Sequence, residues 1–171
     1  LTDALALSGL AHIKDNLIEA YSMGQHSLAS RAGMAYAAFI SGITLANAGL
    51  GVVHGLASPI GGYFNIPHGV VCGTLMGPAL RITIRKLAAS GSGGEPFLEK
   101  YAKAAVLVSG ARNGETNDLC ERLVDTIEAW TEMLGIPRLS AYGVSEKDCD
   151  TIIDSADCKN NPAPLDRDDL R

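Results

Sequence analysis

The sequence lacks any run of basic residues. It carries 14 Lys and Arg against 19 Asp and Glu, which gives a net charge of −5. This balance provides no electrostatic basis for binding nucleic acid or an anionic membrane. We therefore expect neither as a partner.

Paired cysteines and a signal peptide are also missing. Cys72, Cys120, Cys149 and Cys158 form no C-x-x-C pair and no dense framework, a pattern typical of free thiols in a reducing compartment. The N-terminal segment LTDALALSGLAHIKD has no basic n-region, so we expect a cytoplasmic protein. Because this segment also lacks an initiating Met, we expect the chain to be a fragment.

Formal charge is absent from Ala32 to Leu80, which is 49 consecutive positions. By length, residues 33–53 could cross a membrane. However, Ser, Thr, Asn and Gly make this stretch only mildly hydrophobic, and neither a Lys/Arg cluster nor an aromatic belt flanks it. We interpret the neutral block as a buried helical core that holds a site, since it retains His54 and His68.

The apolar spacing predicts an all-α helical bundle, and a chain of this length fits one domain. There is no useful β-alternation and no glycine-rich phosphate loop after a strand. Pro59 with Gly61–Gly62 is expected to end the third helix, and Gly77–Pro78 to kink or break the fourth. Helices are expected over about 2–23, 27–47, 52–58, 68–89, 96–108 and 117–134, after Ser145, and from Asp166.

His54 and His68 lie on two successive helices that a tight return joins. This arrangement can bring both imidazoles to one point. His68 follows Pro67 in a first helical turn, where the positive helix end disfavours imidazolium. A neutral ring is the form that a metal requires.

The residues alone leave two interpretations of this pair open. The rings are either hydrogen-bonded core histidines or two of the three or four ligands of a metal ion. A carboxylate ligand would have to come from outside the neutral block. The other histidines, His12 and His26, are interpreted as ordinary, partly exposed residues.

The segment NAGLGVVHGLASPIGGYFNIPHG, from Asn47 to Gly69, resembles the signature of the iron-containing (group III) alcohol dehydrogenases. That family carries G-L-G-x-x-H-x-x-x-H-P-x-G followed by P-H-G. Thr2–Leu7 resembles the opening of an early helix in the family's metal-binding domain, and Asn161–Pro162 resembles a turn near its C-terminus. The resemblance thus spans nearly the whole chain.

The resemblance implies a two-domain enzyme. An N-terminal α/β domain binds NAD or NADP, and an all-α domain holds Fe²⁺ (or Zn²⁺) through an Asp and three His, two of which correspond to His54 and His68. The other two ligands lie in a D-x-x-x-H motif that this chain lacks. Residues 1–171 are therefore expected to be the helical metal-binding domain, incomplete at its N-terminus and without the nucleotide-binding domain.

The implied reaction oxidises a small-molecule alcohol to an aldehyde or ketone by hydride transfer to the nicotinamide, with the metal polarising the substrate oxygen. Many members carry a second His four residues after the first, adjacent to the nicotinamide. Here that position is Ser58, interpreted as a catalytic hydroxyl that passes a proton or as a small filler of the pocket. We expect the isolated chain to bind metal weakly, to lack dehydrogenase activity and to self-associate, and the enzyme to be a homo-oligomer.

Other relatives of this architecture remain alternatives: glycerol dehydrogenase, maleylacetate reductase and, more remotely, dehydroquinate synthase. The last would need Lys, Arg and Glu around its paired His, which the neutral block does not contain. An alternative of a different class is a helical interaction module, without metal, in which both histidines are merely buried.

Overall fold

The computed structural model describes residues 1–171, and all of its regular secondary structure is helical. Short 3₁₀ turns accompany the α-helices at several of their ends. The predicted all-α fold is therefore confirmed. The helices are α1 (Thr2–Met23), α2 (Leu28–Ala48), α3 (Val52–Tyr63), α4 (His68–Ala89), α5 (Glu95–Ser109), α6 (Thr116–Met133) and α7 (Cys149–Asp154).

The chain forms two compact units. Unit 1 comprises Leu1–Gly49 with Leu98–Thr126, and unit 2 comprises Leu50–Phe97 with Ile127–Arg171. Taken singly, none of the helices combines the length and apolar composition of a membrane span. Helices α2 and α3 meet those criteria only as a pair, across the break between them.

In unit 1, α1 and α2 form a close antiparallel hairpin. Glycine permits the close approach: a Cβ atom on Gly33 would lie 2.5 Å from the Asn16 side chain, and one on Gly9 would lie 3.1 Å from Ile40. The small residues of α2 thus allow the tight packing expected from the sequence. The buried positions of α2 recur every three or four residues, at Ser30, Gly33, Ala37 and Ile40.

The opposite face of α2 is exposed, which makes the expectation of a uniformly buried neutral block wrong. Leu28 is 82% exposed and Phe39 is 68% exposed. The reason is geometric, since a single partner helix can cover only one side of another. The lack of charged residues in α2 therefore does not mean that the whole helix is buried.

In unit 2, α3 and α4 surround a compact apolar core. Its buried members are Val52, Leu56, Ala57, Ile60, Ile66, Val71, Ala79 and Ile152. One expectation is wrong here, because α3 continues through Pro59 and Gly61–Gly62 to Tyr63. Helix α4 continues through Pro78 without a break.

Burial explains why the prolines do not end these helices. A helix-interior proline costs about 3 kcal/mol, whereas each fully buried aliphatic side chain contributes about 1.5–3 kcal/mol. Leu56 and Ile60, which flank Pro59, are 8% and 3% exposed. Two such side chains offset the cost of the proline, so α3 stays helical.

The C-terminal part of unit 2 follows the predicted stops and caps except at its end. Gly135 adopts a φ of +62° just after α6, and Ser145 with Asp148 forms a capping box before α7. Residues 167–170 form a turn and not the expected helix. The carboxylate of Asp166 accepts the backbone N–H groups of Asp168 and Asp169, and such local bonds compete with a helical ladder.

Candidate metal centre

The fold of unit 2 brings the beginnings of two helices together. His54 is the third residue of α3, and His68 is the first residue of α4. The linking segment is only four residues long, and its Ile66 is buried at 7% exposure. Pro67 caps α4 with an extended ψ of 131°, so His68 lies in the first turn as expected.

The two imidazoles are neighbours. Their ring centroids are 5.5 Å apart, with an angle of 45° between the ring planes. The sequence placed both rings near one point, and the structure has them there. Their role as ligands remains a prediction.

A third donor, which the sequence analysis missed, completes the cluster. The Sγ atom of Cys72 lies 3.4 Å from Nε2 of His68. One ligand atom from each of His54, His68 and Cys72 lies within 4.8 Å of the others. The signal was the four-residue spacing of His68 and Cys72, which puts them on one face of a helix.

The cluster faces solvent more than expected. His68 is exposed, while His54 and Cys72 are partly buried. The expectation of a buried site is therefore wrong for His68, which is exposed. The alternative of a helical interaction module without metal stays a prediction.

Burial nevertheless influences the protonation of the cluster. Partial burial, with a contribution from the neighbouring His68, lowers the pKa of His54. Burial raises the pKa of the Cys72 thiol. The lowered pKa of His54 favours the neutral ring, which is the form that can bind a metal.

Two contacts from the C-terminal segment fix the beginning of α3. The side-chain Oδ1 of Asn161 accepts the backbone N–H of Val52 at 3.3 Å, and its Nδ2 donates to Oγ1 of the buried Thr83 at 3.2 Å. A Cβ atom on Gly55 would lie 2.5 Å from the carbonyl oxygen of Asp157. His54 therefore sits on a helical turn that the C-terminal segment contacts at Val52 and Gly55.

The remaining candidates lie apart from this cluster. Ser58 is exposed and follows His54 by one turn of α3. In unit 1, the exposed His12 packs edge-on against Tyr36, with ring centroids 4.7 Å apart. The exposed His26 belongs to a 3₁₀ turn.

The donor set fits a divalent transition metal. Zinc binds imidazole at about 2.0–2.1 Å and thiolate at about 2.3 Å, which separates neighbouring donors by about 3.3–3.7 Å. The 3.4 Å between Cys72 Sγ and His68 Nε2 already lies in that range. Nitrogen and sulfur donors suit zinc and iron better than magnesium or calcium.

Comparisons with known proteins agree with this chemistry. Residues 1–171 match the model of the Fe-containing alcohol dehydrogenase family, C-terminal. The chain is 33% identical over 150 residues to a 1,3-propanediol dehydrogenase of Klebsiella pneumoniae, covering 86% of this chain and 36% of that protein. It is 30% identical over 157 residues to alcohol dehydrogenase 4 of Saccharomyces cerevisiae, covering 91% and 37%.

A solved structure gives the same result. The crystal structure of a 1,3-propanediol oxidoreductase matches with a TM-score of 0.86 and 31% identity, covering 99% of this chain and 43% of that one. The chain thus spans less than half the length of these relatives.

Proposed function

Because the chain belongs to the iron-containing alcohol dehydrogenase family, we propose that it is the metal-binding part of an NAD(P)-dependent alcohol dehydrogenase. The enzyme oxidises an alcohol to an aldehyde or ketone by hydride transfer to NAD or NADP. The family match over residues 1–171 supports the reaction class. The convergence of His54 and His68, with ring centroids 5.5 Å apart, carries the assignment of the metal site.

In this proposal, His54 and His68 hold Fe²⁺ or Zn²⁺. A bound divalent ion supplies Lewis-acid polarisation of the substrate oxygen. The chain's own contribution is to present neutral ring nitrogens at a fixed place. Partial burial lowers the pKa of His54, which favours the neutral ring, and Asn161 anchors the first turn of its helix.

We further propose that residues 1–171 form the helical domain of a longer enzyme whose nucleotide-binding domain lies elsewhere in the polypeptide. The coverage of only 36–43% of the relatives supports this. A small-molecule alcohol or aldehyde is the proposed substrate. The exposed apolar side chains of unit 1, such as Leu28 and Phe39, favour a homo-oligomer.

Ser58 is proposed as a proton-passing hydroxyl in the reaction. It follows His54 by four residues in α3, so both side chains project from the same face. Its exposure gives the hydroxyl access to water. A proton released from the substrate could thus reach solvent through it.

The proposed metal site predicts that, in the polypeptide translated from the whole reading frame, His54→Ala and His68→Ala each abolish tight metal uptake. Each variant loses one imidazole ligand of a site in which zinc or iron needs three or four. The measurement is metal content by elemental analysis after loading with Fe²⁺ or Zn²⁺ and desalting. His26→Ala, at an exposed histidine outside the cluster, is the control and retains the ion.

The proposed reaction is tested on the polypeptide translated from the whole reading frame. NAD(P)H formation is followed by absorbance with a series of small alcohols, and both histidine variants are expected to lose it. Metal uptake and turnover that survive both substitutions would refute the proposal and favour an interaction module.

A further inference from the structure

We propose that Cys72 is a third ligand of the same ion and that it biases the site toward a borderline-soft divalent cation, Zn²⁺ or Co²⁺, over Fe²⁺. This inference rests on the proposed metal site at His54 and His68. It adds a sulfur donor to the two imidazoles. Thiolate ligands favour zinc.

The geometry of α4 supports this role. Cys72 follows His68 by one helical turn, and its Sγ atom is 3.4 Å from Nε2 of His68. The donor atoms of His54, His68 and Cys72 lie within 4.8 Å of one another. Two donors thus already have the separation of neighbouring zinc ligands, about 3.3–3.7 Å.

The other thiols have different surroundings. The buried Cys120 donates to the carbonyl oxygen of Leu98, and neither Cys149 nor Cys158 joins the histidine cluster. Cys149 is partly buried, like Cys72. It therefore offers a matched control for the loss of one partly buried thiol.

The test is Co²⁺ binding to the polypeptide translated from the whole reading frame, followed by absorption spectroscopy. A cobalt–thiolate bond gives a charge-transfer band in the near ultraviolet. We expect this band in the wild-type chain and in Cys149→Ser, and its loss in Cys72→Ser. The affinity for Zn²⁺, from competition with a chelator, should fall more than about tenfold in Cys72→Ser, because even residues that only orient ligands contribute about 10- to 100-fold.

Three outcomes decide the matter, with helicity by circular dichroism confirming that each variant is folded. Loss of the band and of Zn²⁺ affinity in Cys72→Ser alone supports the proposal. Co²⁺ bound without the band, or a band unchanged in Cys72→Ser, refutes the role of Cys72 and leaves the histidine site standing. A wild-type chain that takes up no ion refutes the histidine site as well.

Discussion

At the scale of single residues, the position of each side chain along its helix decides its chemistry. Ser58 has the same hydroxyl as Ser30, which is buried, but Ser58 is exposed and lies one turn beyond His54. Cys72 and Cys120 are likewise both free thiols. Only Cys72 meets the imidazoles, because it follows His68 by one turn.

The relay proposed for Ser58 predicts that Ser58→Ala lowers turnover of the complete enzyme about three- to tenfold, with KM nearly unchanged. The expected effect is smaller than the ~10²–10⁴-fold of a dedicated acid or base, because a hydroxyl has no useful pKa near neutrality. Steady-state kinetics across the pH range is the measurement. Ser58→Thr keeps the hydroxyl and should retain activity, whereas wild-type turnover in Ser58→Ala would identify the residue as a filler.

At the scale of elements, the decisive feature is how closely α3 approaches the loop before Asn161. Gly55 directly follows His54 and is buried, and the loop backbone at Asp157 lies where its side chain would be. Farther along the same helix, Gly61 has nothing within 4 Å of a would-be Cβ atom. A side chain at position 55 would therefore clash with the loop backbone, whereas a side chain at position 61 would meet no neighbouring atom.

Gly55→Ala is expected to destabilise unit 2 by about 1–3 kcal/mol, since overpacking against backbone forces a shift of the helix. The same shift should weaken metal uptake by displacing His54. Gly61→Ala is expected to stabilise by about 0.5–1 kcal/mol, because alanine loses less backbone entropy in a helix. Urea unfolding followed by circular dichroism gives both values, and equal stabilities of the two variants would contradict the close approach.

At the scale of the whole molecule, unit 1 contains ionisable groups whose pKa values are strongly shifted. Burial raises the pKa of Tyr101 to about 12 from an ordinary value of 10. Burial also raises the pKa of Cys120 to about 11. Both groups stay neutral in the folded chain over a pH range in which the unfolded chain ionises them.

These shifts predict that stability falls at alkaline pH. Below about pH 10 both states carry a neutral Tyr101, so its contribution is fully present. As pH rises toward about 12, the unfolded state loses the proton first and is favoured. Tyr101→Phe should flatten this decline in urea midpoints, leaving the part due to Cys120. The control is Tyr21→Phe, at a residue that is 64% exposed. An unchanged decline in Tyr101→Phe would contradict the shift.

Much of the fold was predictable from local signals. The apolar spacing placed the helices, and the short helix expected after Ser145 is present. One signal that depends on burial was misread, since Pro59 was expected to end a helix that tertiary packing keeps intact.

The sequence by itself determined the all-α fold, the family and the meeting of His54 with His68, because helical periodicity and the Asn47–Gly69 motif are local properties of the chain. Only the tertiary structure decided the rest of the site. The side-chain amide of Asn161 accepts the backbone N–H of Val52, which lies 109 residues away in the sequence. Cys72 forms a three-donor cluster only because a second helix brings His54 close to it and to His68. The contact of Asn161 arises from packing between distant segments, which no local pattern encodes, whereas the four-residue spacing of His68 and Cys72 is a local pattern.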